Sequence, residues 1–507
     1  MAEIPYNNVF KGPDSVINYF DPDLQPPLPL VELPEKLNHF RRDGVRIYAK
    51  MLTATPAQNV KVFPALNMLL HEPAAAKKSI VEASSGSTAL SLGMAARVLW
   101  GNEDVTAHLT NKKHPDQLRM LQFFGLKISL YGGLAQQEPV DPRGVMCRLR
   151  RLAKKDDQVI YPGQYDNDYN WKSHVRWTGS QIFKQLPEIN VFCTTVGTGG
   201  CISGTGVYLK AQKPSVKVVG VCNVFGDPTP GPRHFPGFES SQFPWRETID
   251  TFEHVASVRS YEKSMQLSRE GIICGPSSGE GLCGLFDYLQ KAKDAGTLQD
   301  LADPITGEIS CVFICCDLPY QYMDNYFQKL DEDKFPQIYN KILLSCDQDK
   351  YDERWELTPE QSARMIAQSS RTKRGPRPCS RPSCRTKPLC NSSGTPKITI
   401  LDLRQKQDFD TEHMCGSASS PLKQLTERSG DIFADSIVLH MHWRNLKTKF
   451  EVESDKLGSK ACSLLVLCYD GETSRLAVSI LRARGFNAFS VFGGFHALTN
   501  CVKARKL

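Results

Sequence analysis

The chain has 507 residues, of which 40% are hydrophobic and 23% charged, so it exceeds what one hydrophobic core supports and has the composition of a globular protein with two or more domains. No run approaches eighteen apolar residues, so we expect no transmembrane helix, and a membrane is not an expected partner. The formal charge of +7 equals the seven basic residues of segment 371–387, which has no acid. The folded parts are therefore close to neutral, and nucleic acid is not an expected partner.

Residues 1–15 lack the basic flank and apolar core of a secretory signal. Seventeen cysteines in a large chain of this kind favour free thiols over a disulfide framework. We therefore expect a cytoplasmic protein.

Apolar strand-like runs alternate with helical stretches from residue 45 onward. The strands 79–85 and 189–196 each end in a Ser- or Gly-rich turn that leads into a helical pattern, such as 87–100. This order predicts an α/β domain with largely parallel sheets. The predicted strands are 45–52, 79–85, 189–196, 216–222 and 311–317.

The stretch "TTVGTGGCISGTG", residues 194–206, carries five glycines between a strand and a helix. Such a loop directs free backbone N–H groups at an anion. A Walker A loop requires lysine at Thr205, and a dinucleotide fingerprint counted from Gly197 requires glycine at Ile202. Both alternatives fail, and a structural turn remains open from this loop alone.

Three further segments have a composition suited to binding. Lys61 follows a strand and a turn, and Ser277 stands at a strand-to-helix turn. Hydroxyl residues surround Gly86 at a predicted helix start, where free N–H groups suit a carboxylate. These hydroxyl residues are Ser84, Ser85, Ser87 and Thr88.

Together with the glycine loop, these segments resemble the cysteine synthase and cystathionine β-synthase family of fold-type II pyridoxal-phosphate enzymes, which includes tryptophan synthase β-like proteins. The resemblance extends over about residues 29–327. It implies a two-lobed α/β domain, pyridoxal 5′-phosphate as cofactor, an amino-acid substrate with a nucleophile as second substrate, and a homodimer.

The resemblance also implies residue roles. Lys61 matches the lysine that forms the internal Schiff base, and Ser277 matches the serine that faces the pyridine nitrogen. The phosphate-binding positions are Gly197, Thr198, Gly199, Gly200 and Cys201. The positions that bind the substrate carboxylate are Ser85, Gly86, Thr88 and Gln164. Ser87 stands where the family usually has an asparagine that contacts the cofactor.

A lysine freed from the cofactor can act as a general base, and a serine at the ring nitrogen favours loss of a β-leaving group. We therefore expect β-replacement on an activated serine through an aminoacrylate. β-Elimination of the cysteine desulfhydrase type and a non-catalytic regulatory protein remain alternatives. Changes from the family pattern at Ser87, Cys201 and 235–239 leave the leaving group and the nucleophile open.

Residues 1–348 are thus predicted as the pyridoxal-phosphate domain and 349–395 as a basic, Pro- and Ser-rich linker. Cys379, Cys384 and Cys390 have irregular spacing and no nearby histidine, so we expect no metal site.

Residues 396–507 form a second α/β unit that resembles a single rhodanese domain. The resemblance implies that Cys468, which ends a strand and precedes a helix, carries a persulfide sulfur. Asp470 and Glu472 bring negative charge that opposes a thiolate, so an inactive regulatory domain is the alternative. An active domain would allow sulfur relay to the first domain. A cysteine phosphatase is disfavoured because Ser474 stands where arginine is required.

Overall fold

The computed structural model describes residues 8–84, 86–133, 137–346, 349, 351–369, 377–380, 398–423, 425, 432–453, 457, 460 and 462–504. The chain divides into two compact units, Met1–Phe335 and Pro336–Leu507, and each is considered by itself. Among the described residues, no helix combines the length and the apolar character needed to cross a membrane.

The described residues of the first unit form ten strands in two sheets. Their bounds are β1 (Leu30–Glu32), β2 (Val45–Met51), β3 (Ser79–Ala83), β4 (Val105–Thr110), β5 (Lys127–Tyr131), β6 (Val159–Ile160), β7 (Val191–Thr195), β8 (Lys217–Asn223), β9 (Thr251–Val255) and β10 (Ile309–Cys315). The larger sheet has the order β1-β2-β10-β7-β8-β9, and the smaller has the order β5-β4-β3-β6. Every pair is parallel except β1 with β2, as the alternating pattern predicts.

Helices connect these strands. Their bounds are α1 (Ser15–Phe20), α2 (Val62–Leu70), α3 (Ser87–Trp100), α4 (Pro115–Phe123), α5 (Val145–Lys155), α6 (Tyr169–Ser173), α7 (Ser180–Gln185), α8 (Gly200–Gln212), α9 (Ser257–Arg269), α10 (Pro276–Asp294) and α11 (Met323–Lys329). A π-helical turn, His174–Gly179, joins α6 to α7.

The larger sheet is covered on both faces. All seven residues of β10 are buried, which explains the uninterrupted apolar run of this strand. On one face Leu282, Leu285 and Leu289 of α10 repeat at helical spacing and pack into one hydrophobic core, and a second core lies around α2 and α3. The loops at the carboxyl ends of the parallel strands are consequently placed along one edge, where ligand sites form in α/β folds.

The second unit has a five-stranded sheet of order β11-β17-β16-β13-β15, in which every pair is parallel. An antiparallel pair, β12 with β14, accompanies it. Its strands are β11 (Glu356–Leu357), β12 (Pro378–Cys379), β13 (Ile398–Asp402), β14 (His413–Met414), β15 (Ser417–Ser419), β16 (Ser463–Leu467) and β17 (Asn487–Val491). Its helices are α12 (Pro359–Ser369), α13 (Lys406–Thr411), α14 (Ser436–Glu453), α15 (Glu472–Ala483) and α16 (Gly494–Ala504).

The segment 349–395, expected as a linker, includes ordered elements of this second unit. Strand β11 extends the five-stranded sheet, and Ala363 and Ile366 of α12 enter a hydrophobic core. Most of the basic segment 371–387, together with Cys384 and Cys390, lies outside the described residues. The three-part division of the chain stays a prediction.

Candidate active site

The first unit contains a cavity of about 700 Å³, and Lys61 contributes to its wall. Lys61 immediately precedes α2, and its main chain is held by its neighbours. The Lys61 N–H donates to Oδ1 of Asn59 at 2.9 Å, and the Val60 N–H donates to the carbonyl of Cys316 at 2.6 Å. Oδ1 of Asn59 also accepts a 2.9 Å hydrogen bond from the hydroxyl of Ser91 on α3. The loop that carries Lys61 is thus fixed both to the end of β10 and to α3.

The glycine loop connects β7 to α8 and lines the same cavity. A Cβ atom at Gly197 would lie 2.9 Å from the carbonyl oxygen of Gly231 and 4.0 Å from Nζ of Lys61. Gly199 has φ +85°, and a Cβ atom there would lie 2.5 Å from the ring of Phe238. Both positions therefore require glycine, and the loop passes close to the Lys61 amine.

Cys201 ends the predicted phosphate-binding segment, whose other members are Gly197, Thr198, Gly199 and Gly200. Burial raises the pKa of the Cys201 thiol to about 12, so this side chain is neutral at physiological pH. The first turn of α8 thus offers backbone N–H groups without a competing negative charge, which suits an anion such as a phosphate.

The loop between β3 and α3 also lines the cavity. The hydroxyl of Ser84 accepts hydrogen bonds from the N–H groups of Gly86, at 3.1 Å, and Ala89, at 3.3 Å. Ser87 begins α3 and lines the cavity. Ser85, a predicted carboxylate ligand, lies outside the described residues.

A chain of buried hydrogen bonds connects this loop to the glycine loop. Thr88 donates its hydroxyl hydrogen to Oε1 of Gln164 at 2.6 Å, and Nε2 of Gln164 donates to the carbonyl of Ala83 at 2.9 Å. Asn170 then donates from Nδ2 to the carbonyl of Gln164 at 2.6 Å and to the hydroxyl of Thr198 at 3.2 Å. The predicted substrate and phosphate positions are therefore held by one polar network.

Ser277 lies in the first turn of α10 and lines the cavity. A Cβ atom at Gly231 would lie 3.8 Å from Cβ of Ser277, so these two residues face each other. The next serine, Ser278, accepts a 2.9 Å hydrogen bond from the Cys316 N–H and fixes this turn to the end of β10.

Asp317 is the principal residue that sequence reasoning missed. Tyr322 donates its hydroxyl hydrogen to Oδ2 of Asp317 at 2.6 Å, and Oδ1 is buried without a partner among the described residues. Burial raises the pKa of this carboxyl to about 6, against the opposing effects of the Tyr322 hydrogen bond and the Lys61 charge. The sequence signal was its place at the end of the predicted strand 311–317.

The donor set of the cavity fits pyridoxal phosphate. Nζ of Lys61 has no hydrogen-bond partner among the described residues, which leaves an amine available to an aldehyde. The Gly231 carbonyl and the Phe238 ring lie where Cβ atoms at Gly197 and Gly199 would stand, and the N–H groups in the first turn of α8 are the donors that this loop offers to a phosphate. The residues present are thus sufficient to hold both the aldehyde end and the phosphate end of this cofactor.

Cys468 in the second unit lies between β16 and α15. Its sulfur accepts hydrogen bonds from the N–H groups of Gly471, at 3.1 Å, and Ser474, at 3.3 Å. The thiol is fully buried, and this burial, with the charge of Asp470, raises its pKa to about 12. The loop has the donor geometry expected for a sulfur site, but the sulfur is a neutral thiol near pH 7.

Comparison with the sequences of known proteins gives three findings. A sequence model of the family "Pyridoxal-phosphate dependent enzyme" matches residues 23–301. The chain is 31% identical to a cysteine synthase of Aquifex aeolicus over 278 residues, which is 53% of this chain and 82% of that protein. It is 30% identical to an N-(2-amino-2-carboxyethyl)-L-glutamate synthase of Cupriavidus metallidurans over 281 residues, 52% of this chain and 78% of that protein.

Among solved structures, a hydrogen sulfide-producing enzyme from Fusobacterium nucleatum matches with a TM-score of 0.49 and 22% sequence identity. The match covers 59% of this chain and 96% of that one.

Proposed function

The chain belongs to the family of pyridoxal-phosphate dependent enzymes, and we propose that its first unit catalyses β-replacement on an activated serine or a related amino acid. The chain is an enzyme of the cysteine synthase type that uses pyridoxal phosphate. The observation that carries the proposal is the position of the Lys61 amine, 4.0 Å from the site that a side chain at Gly197 would occupy.

Bound pyridoxal phosphate supplies an electron sink for the substrate's α-carbon. In the proposed reaction, the Gly197–Cys201 backbone would hold the phosphate, and Lys61 would provide the amine for the aldehyde carbon. The N–H groups of Ser87 and Thr88, at the start of α3, bind the substrate carboxylate. Once the substrate's amine has displaced it, Nζ of Lys61 would take the proton from the α-carbon as a general base.

The residue at the ring nitrogen determines which reaction this site favours. Ser277 would present a hydroxyl there, whereas a carboxylate would hold a proton on the ring nitrogen. The hydroxyl supports loss of a β-leaving group rather than prolonged storage of negative charge. Ser277 thus favours β-replacement over transamination.

The Lys61→Ala variant tests the proposal. In the wild type, borohydride reduction should leave the mass of the reduced cofactor on the peptide containing Lys61, and the variant should lack it. Lys77→Ala, a matched substitution outside the cavity, should keep the added mass. A wild-type Lys61 peptide without added mass would refute the assignment of this lysine and favour a non-catalytic regulatory protein.

Product analysis separates the two enzymatic reactions. With an activated serine and a thiol, β-replacement gives a thioether amino acid, whereas β-elimination gives pyruvate and ammonia. An amino-acid product that contains the thiol supports the proposal, and pyruvate as the sole product would assign the enzyme to the cysteine desulfhydrase type. We also propose that the enzyme acts as a cytoplasmic homodimer, which analytical ultracentrifugation and fractionation of cells will test.

A second candidate function, sulfur transfer, concerns the second unit. The two N–H donors at the Cys468 sulfur favour it, because such donors stabilise a thiolate or a persulfide. Since the pKa of Cys468 is raised to about 12, we expect a slow transfer of sulfur from thiosulfate to cyanide that accelerates from pH 7 to pH 10. A rate that is unchanged in Cys468→Ser would refute this function.

A further inference from the structure

The cavity of the first unit carries an excess of positive charge. Among the described residues that line it, Asp317 is the sole carboxylic acid, and its pKa is raised to about 6 by burial. The lysines and arginine that line it are Lys61, Lys112, Lys113, Lys329 and Arg233. A cavity with this balance favours ligands with several negative charges.

Three of these cations already have a role or a partner. Lys61 is the proposed cofactor lysine, Lys329 is paired with Asp227 at 3.0 Å, and Lys112 donates to the carbonyl of Gly133. Lys113 and Arg233 are different, because neither has an ion-pair partner among the described residues.

Lys113 follows β4 and faces the cavity. Its ammonium group makes no hydrogen bond to the described residues, although two neighbouring basic residues, Lys112 and His114, each have partners. Burial lowers the pKa of Lys113, and no nearby carboxylate opposes this effect. The charged form of Lys113 is therefore stabilised when an anion enters the cavity.

Arg233 is 5% exposed and is fixed by neutral groups alone. Its guanidinium donates to the hydroxyl of Tyr165 at 3.0 Å and to the carbonyls of Gln137 and Gly237 at 3.1 and 3.5 Å. Its guanidinium carbon also lies 4.8 Å from the centre of the Tyr165 ring. The guanidinium is thus held in place while its charge remains uncompensated, and an uncompensated buried cation is costly without a bound anion.

The other anions expected in the cavity have their own donors. In the proposed function, backbone N–H groups at α8 hold the phosphate and those at α3 hold the α-carboxylate, so neither requires Lys113 or Arg233. We infer that Lys113 and Arg233 form a subsite for a carboxylate on the nucleophile, which makes acidic nucleophiles the preferred second substrates. This inference rests on the proposed function.

Two thiols with the same reacting atom test the inference, with 3-chloroalanine as the activated amino acid. Thioglycolate carries a carboxylate, whereas 2-mercaptoethanol carries a neutral hydroxyl. In each reaction the sulfur bonds to the β-carbon, the carbon–chlorine bond breaks with its electron pair leaving as chloride, and the thiol proton passes to solvent. We expect the KM of thioglycolate to be at least about tenfold lower than that of 2-mercaptoethanol.

Substitutions test whether Lys113 and Arg233 cause the preference for thioglycolate. Lys113→Gln should raise the KM of thioglycolate about tenfold and leave that of 2-mercaptoethanol within about twofold, because only the charged partner is lost. Lys113→Arg should retain the preference, and Arg233→Gln should weaken it. Lys127→Gln, which removes an exposed lysine paired with Asp104 at 2.8 Å, should change neither KM. Equal KM values for the two thiols in the wild type would overturn the subsite and leave the proposed function standing.

A binding measurement tests the subsite without catalysis. Acetic anhydride labels free lysine amines, and mass spectrometry measures the extent at each position. Malonate, a dicarboxylate without a thiol, should slow the labelling of Lys113 at least about threefold and leave Lys127 unchanged, because an ion-paired amine is a poorer nucleophile. Labelling of Lys113 that is insensitive to malonate would overturn the subsite. Malonate protection without a product from either thiol would support the subsite and refute the proposed function.

Discussion

Thr88 donates a 2.6 Å hydrogen bond to Oε1 of Gln164, and both side chains are buried. Nε2 of the same glutamine donates to the carbonyl of Ala83 at the end of β3. The amide of Gln164 is thus oriented from both ends, beside the loop proposed to bind the substrate carboxylate.

Thr88→Val removes the donor and keeps the side-chain shape. Since Oε1 of Gln164 is then buried without a donor, we expect a cost of about 1–3 kcal/mol, which appears as a KM for the amino acid raised about tenfold or more. Adding Gln164→Leu should cost less than the sum of the two single changes. Thr106→Val on β4, whose hydroxyl makes no hydrogen bond among the described residues, is the control. Additive effects would show that the pair does not act together.

Gly197→Ala should abolish retention of pyridoxal phosphate. The added methyl group would lie 2.9 Å from the carbonyl oxygen of Gly231 and would occupy the space beside the Lys61 amine. Absorbance of the purified, dialysed protein and phosphate analysis measure the bound cofactor. The matched variant Gly281→Ala, in which the new methyl group would lie 3.8 Å from Thr195, should retain it. Equal retention by both variants would contradict the proposed phosphate site.

The raised pKa of Asp317 should make the stability of the folded protein depend on pH. Its pKa is about 6 in the folded protein and about 4 when unfolded, so the folded state binds more protons between these values. The contribution of Asp317 to the free energy of unfolding therefore falls by about 3 kcal/mol as the pH rises from about 4 to 6, and it is constant above pH 6. Asp317→Asn cannot ionise and should lack this component. The measurement is thermal unfolding at several pH values for both proteins, and parallel curves would contradict the shift.

The charge of Asp470 should lower the reactivity of the Cys468 thiol. Burial is the main cause of the raised thiol pKa, and the Asp470 carboxylate, 3.5 Å from the sulfur, adds to it. Asp470→Asn removes that charge, so the pKa should fall and the rate of Cys468 alkylation by iodoacetamide at pH 8 should rise severalfold. Mass spectrometry of the Cys468 peptide measures this rate. Glu453→Gln on α14, which leaves the 468–474 loop unchanged, controls for a general loss of acidic charge.

The sequence predicted those features that depend on local patterns. The alternation of strands and helices gave an α/β fold with parallel sheets, and the structure has this fold. The predicted strand 45–52 is observed at Val45–Met51, because its apolar run and the following turn are encoded within a few residues. Lys61, Gly197 and Ser277 were identified from short motifs, and the structure places them around one cavity.

Contacts between distant segments were not predictable in this way. Asn170 lies in the same stretch as Gln164, yet its bond to Thr198 joins residues 28 positions apart, and no local pattern indicates it. The raised pKa of Asp317 depends on burial by several elements. The composition of 349–395 as a whole favoured a linker, whereas β11 is ordered by pairing with β17, more than 120 residues later.

The shared acceptor at Asn59 has a consequence for substrate choice. A single oxygen atom receives hydrogen bonds both from the Lys61 N–H and from Ser91 on α3, the helix that begins at the proposed carboxylate loop. The distance between the main chain of Lys61, the proposed base, and the N–H groups proposed to bind the carboxylate is consequently fixed. Every α-amino acid has the same separation between its carboxylate and its α-hydrogen. A fixed distance between these two binding elements therefore does not distinguish one α-amino acid from another. Selection among them must come from the remaining walls of the cavity.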